Sequence, residues 1–70
     1  MPDMDEDTRE LTAQLCTRVG MIMEDASVVA LTAGSLAPEE QHEALRQLRS
    51  AALTIEALIC AAIRLAEEAQ

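Results

Sequence analysis

The chain contains no tryptophan, tyrosine or phenylalanine, and no lysine. Without aromatic rings it lacks the side chains that most often anchor interface hot spots and the platforms on which nucleic-acid bases stack. Its five basic residues are all arginines, set against 13 acids for a formal charge of −8. Such a surface repels phosphates, so no direct nucleic-acid binding is expected. Two cysteines, Cys16 and Cys60, cannot build a disulfide framework, and the first residues are acidic where a secretory signal would be basic. A reducing cytoplasm is the expected location. The longest unbroken apolar run, from Ala57 to Ile63, is far short of the ~20 residues that a membrane span requires, so no membrane partner is expected.

Chemistry is sparse as well. There is no glycine-rich phosphate loop, no serine nucleophile elbow and no paired-cysteine metal motif. His42 is the single imidazole, and its one Glu-x-x-His spacing, with Glu39, falls at the start of a helix outside the apolar sector. No catalytic residue, no cofactor and no metal site is expected, and the protein reads as a non-enzyme. Cys16 and Cys60 are expected to serve as small buried hydrophobes beyond disulfide reach of each other. The methionines, Met1, Met4, Met21 and Met23, are expected to fill gaps or to form adaptable surface.

What is present is helical periodicity. From Ala51 to Ala66 only Thr54, Glu56 and Arg64 interrupt an apolar stretch. Leu45, Leu48, Ala52, Ile55, Ile59, Ala62, Ala66 and Ala69 recur at alternating spacings of three and four, which keeps them on one side of a 3.6-residue helix. Leu58, Ile63 and Leu65 widen this seam, and Leu53 and Cys60 lie on yet another side. Upstream, Leu11, Leu15, Val19, Ile22, Ala26, Val29 and Ala33 make the matching stripe of a first helix. Gly20 interrupts it, which marks either close approach of a neighbour or simple tolerance. Gly34 suits a left-handed helix end. Pro38 suits the first turn of the next helix, with Ser35 or Ala37 as its N-cap.

The expected fold is therefore all-α: one domain of 70 residues, with a helix over about 5–33, a turn at about 34–37 and a helix over about 38–68, packed as an antiparallel hairpin. Folding it this way brings the acids of residues 3–10 beside Glu67 and Glu68. A lone hairpin of this size has too little core, so self-association into a four-helix bundle, most simply a homodimer, is expected. The candidate oligomer interface comprises Leu53, Leu58, Ile63 and Leu65 of the second helix with Met21, Val28 and Leu31 of the first. A second apolar stripe on the first helix, running from Ala13 through Thr17 to Leu31, points the same way. His42, Arg46 and Arg49 form the candidate contact for another protein. The functional expectation is a small bacterial or phage regulatory or adaptor protein that binds other proteins. The alternative is an acidic decoy that occupies a basic nucleic-acid site on a defence complex or toxin.

Overall fold

A computed structural model of the chain describes residues 6–68. It consists of two helices, α1 (Glu6–Ala33) and α2 (Pro38–Glu68), packed against each other as a hairpin with no strand among the described residues. Asp3, Met1, Met4 and Ala69, which figured in the expected acidic end, methionine set and seam, lie outside the described residues. The helices are about 42 and 46 Å long at 1.5 Å per residue, so the molecule is a rod. Its radius of gyration is 16.2 Å, against about 11 Å for a globular chain of this length.

The line of contact follows alternating steps of three and four. On α1 the half-buried or buried residues are Thr8, Thr12, Leu15, Val19, Ile22, Ala26, Val29 and Ala33. On α2 they are Gln41, Ala44, Leu48, Ala51, Ile55, Leu58, Ala62, Leu65 and Ala66. Both sets are heptad stripes, the pattern that lets two helices stay in contact over many turns. The α1 stripe is the expected one except at its start: Leu11 is 45% exposed, and Thr12 takes the inward position. Thr12 can do so because its hydroxyl donates to the Thr8 carbonyl at 2.8 Å, leaving no unpaired polar atom between the helices. On α2 the contact line is rotated from expectation. Leu45, Ala52 and Ile59 are exposed, and Ala44, Ala51 and Leu58 face α1 instead.

The turn also differs from the sequence expectation. No described glycine or other residue has a positive φ, so Gly34 does not adopt the left-handed conformation. α1 ends instead in tight turns, with Ser35 N–H donating to the Thr32 carbonyl at 3.1 Å and Leu36 N–H to the Ala33 carbonyl at 3.2 Å. The Ser35 hydroxyl turns back to the Thr32 carbonyl at 2.9 Å, so Ser35 is not the cap of α2. Ala37 holds that position: its carbonyl accepts the Gln41 N–H at 2.7 Å, and its own N–H donates to Glu40 Oε1 at 3.4 Å. This is half of a capping box; alanine has no side-chain oxygen for the other half. The joint is completed by Gln41, whose Nε2 donates to the Ala33 carbonyl at 3.1 Å and so satisfies an end group of α1 from α2. Leu36 is half-buried beside the turn.

Ala33 (8% exposed) and Ala44 (5%) are the only buried residues described. Both lie near the turn, where small side chains let the backbones approach closely. Every larger side chain along the contact line is only half-buried.

Candidate interaction surface

Two packed helices leave two flanks, one on each side of the contact line. In an antiparallel pair, the residues that directly follow the inward positions Leu15, Ile22 and Val29 of α1 and Ala44, Ala51, Leu58 and Leu65 of α2 emerge on the same flank. Those residues are Cys16, Met23 and Ala30 on α1, and Leu45, Ala52, Ile59 and Ala66 on α2. One helical step further out stand Ala13, Gly20 and Ser27 on α1, with Arg49, Glu56 and Ile63 on α2. An apolar groove lies on this side of the open half of the hairpin, where Cys16 meets Ile59, Ile63 and Ala66 above Leu15, Val19 and Ala62. From Ala13 to Ala30 the α1 edge of the flank carries no charge, and from Leu45 to Ala66 the α2 edge carries only Arg49 and Glu56.

The opposite flank is polar. Its α2 edge presents Glu43, Gln47, Ser50, Thr54, Ala57, Ala61 and Arg64, and on α1 Leu11, Met21 and Val28 are interleaved with Gln14, Arg18 and Asp25. Large hydrophobic side chains thus project from both helices on the first flank, and from α1 alone, as Leu11, Met21 and Val28, on the second.

The seven residues expected to form an oligomer interface do not share a face. Leu58 and Leu65 are half-buried between α1 and α2. Ile63 belongs to the apolar flank. Met21 and Val28 lie toward the polar flank, while Leu53 and Leu31 point away from the contact line, Leu31 at 82% exposure. Met23, Leu45 and Ile59, which the periodicity assigned elsewhere, complete the apolar flank. Leu45 and Ile59 share a helix side with Ile63, a signal visible in the spacing once the phase of the α2 contact line is known.

Both cysteines are exposed, a correction to the expected buried role. Cys16 lines the apolar groove opposite Ile59 and Ile63. Cys60, on the same turn of α2, faces outward into a shallow depression beside Leu53 and Glu56. The thiols are therefore nearly level along the rod, and it is direction that separates them.

His42, Arg46 and Arg49 are exposed along one outer side of α2. Arg46 pairs with Glu43 at 3.8 Å, and both side chains are largely in water. Such a pair is worth tenths of a kcal/mol. Among the described residues no three histidines, cysteines or carboxylates converge as a metal site would require. At the open end Glu6, Asp7 and Glu10 of α1 come beside Glu67 and Glu68 of α2, with Arg9 and Arg64 as the nearby cations. Among the described residues no helix is long and apolar enough to cross a membrane. No family model, curated protein or solved structure matches the chain.

Proposed function

We propose that the protein is a non-enzymatic, acidic helical interaction module that acts as a homo-oligomer, most simply two hairpins forming a four-helix bundle. The observation that carries this reading is the shortage of interior. A compact 7.6 kDa monomer exposes about 4,300 Å² by size scaling, whereas this chain exposes 5587 Å². The excess of about 1,300 Å² is larger than the ~800 Å² that each partner gives to a standard interface. Among the described residues nine large apolar side chains are exposed while only two alanines are buried, a shortage of core that a second copy would supply. The pair would function in a reducing cytoplasm, in keeping with two unbridged thiols. His42, Arg46 and Arg49 are the candidate contact for a carboxylate: His42 and Arg46 for one on a partner protein, and Arg49, on the α2 edge of the apolar flank, for one on a second copy.

Sedimentation equilibrium tests the reading directly. The expected mass is at least twice the chain's 7.6 kDa, with a melting temperature that rises with protein concentration. A monomer with a cooperative, concentration-independent melt would sink it.

The net charge of −8 favours a second reading, an acidic decoy that occupies the nucleic-acid site of a cationic protein. Binding of that kind weakens steeply between low and high salt. Capture of a basic partner with unchanged affinity in both conditions would remove it.

A further inference from the structure

We infer that the apolar flank closes on a second copy of the chain, with α2 lying antiparallel to the partner's α2 about a twofold axis that passes close to Ala52. The inference rests on the homo-oligomer reading above and adds the face, the direction and the residues that set the register.

The two charges on the flank indicate the occupant. Arg49 and Glu56 stand on the same edge of α2, two helical turns or ~10.5 Å apart, with Ala52 between them. That separation is too long for them to pair within the helix. In an isologous contact residue i meets j and j meets i. An axis near Ala52 brings Arg49 of each copy to Glu56 of the other, so the two charges that the α2 edge of this flank carries from Leu45 to Ala66 satisfy each other twice over. The same axis sets Leu45 against the other copy's Ile59 and leaves small Ala52 at the crossing point, where two helices can come closest. A different protein would have to reproduce this spacing in reverse; a second copy has it already.

The alternative stacking, with the axis parallel to the helices, sets α2 against the other copy's α1. Arg49 and Glu56 would then face the uncharged edge that carries Ala13, Gly20 and Ser27. It would also place both acidic open ends at one pole. The antiparallel arrangement sends them to opposite ends of a rod about 45 Å long, several screening lengths apart in physiological salt.

Two measurements on the full chain test this. In a C16S/C60S background, Ala52→Cys should form a covalent dimer rapidly on mild oxidation, while Met21→Cys, at the centre of the polar flank, should not. Separately, Arg49→Glu and Glu56→Arg should each weaken dimerisation about tenfold at low salt, since each turns both reciprocal pairs repulsive. An equimolar mixture of the two variants should recover the original affinity as a heterodimer. Circular dichroism on each variant establishes that the helices persist. Cross-linking through Met21→Cys, or a dimer whose mixed variants show no recovery, would overturn the inference and leave the homo-oligomer reading standing. A monomer at every concentration would end both.

Discussion

The two flanks of the hairpin are built on the same helices and the same heptad stripe, yet on one of them α2 presents large hydrophobic side chains and on the other it presents none. On α2 the difference is Leu45, Ile59 and Ile63 on one side against Gln47, Ser50 and Thr54 on the other. Helix propensity does not require it, since leucine and glutamine serve a helix almost equally well. Contact with α1 does not require it either, because both sets lie outside the inward stripe. A chain that worked as a solitary rod would have no reason to keep the large hydrophobic side chains of α2 on one flank and its polar ones on the other. The asymmetry is what a surface meant to be covered looks like.

That comparison can be broken in graded ways. The largest effect is expected from Ile55→Asp, which sets a carboxylate on the contact line that both flanks share. A loss of several kcal/mol exceeds what so small a hairpin can withstand, and far-ultraviolet circular dichroism should report a mostly unfolded chain. Next comes the direct contrast between the flanks. Ile59→Asp should shift the mass toward that of one chain and lower the melting temperature, whereas Thr54→Asp, the exposed counterpart on the other side, should stay within about 0.5 kcal/mol of the parent. Equal effects from these two substitutions would erase the distinction.

The native thiols sharpen the same comparison more gently. Cys60 should alkylate at the rate of a free exposed thiol at all protein concentrations. Cys16, on the apolar flank, should react several-fold more slowly, and its protection should grow with concentration and vanish in the Ile59→Asp variant. The smallest expected effect is at Gly20. A Cβ there would meet nothing within 4 Å in the single hairpin, so Gly20→Ala should stabilise α1 by up to ~1 kcal/mol through helix propensity alone. In the Ile59→Asp background that full gain should appear in the melt; in the associated protein it should be smaller, since the added methyl then intrudes on a neighbouring copy.

Much of the fold was legible in the spacing of apolar residues. Two stripes of three-and-four steps, separated by Gly34, Ser35 and Pro38, specify two helices and a bend, and that is what the structure contains. The phase of α2 was not legible, for a physical reason. When leucine, isoleucine and alanine occupy several sides of a helix, hydrophobicity alone does not say which side faces the partner. Ala44 and Ala51 were passed over in favour of Leu45 and Ala52, although the buried layer near the turn needs small side chains. Thr12 was passed over for Leu11 because the back-bonded hydroxyl that lets threonine turn inward is a matter of local geometry. The error carried over to the candidate surface: Leu58 and Leu65 lie in the contact line, and Met23, Leu45 and Ile59 stand on the flank. The exposure of the cysteines was not legible either, because which side of each helix faces inward depends on that same phase.

The connection between the helices makes no demand for mirror-image torsions. Nothing within 4 Å would collide with a side chain at Gly34, so an ordinary amino acid could stand there without distorting the chain. The corner is fastened by an amide reaching across from Gln41, and its own residues are left with wide latitude. Descendants of this sequence could therefore rewrite the corner freely as long as that amide, or an equivalent donor, survives.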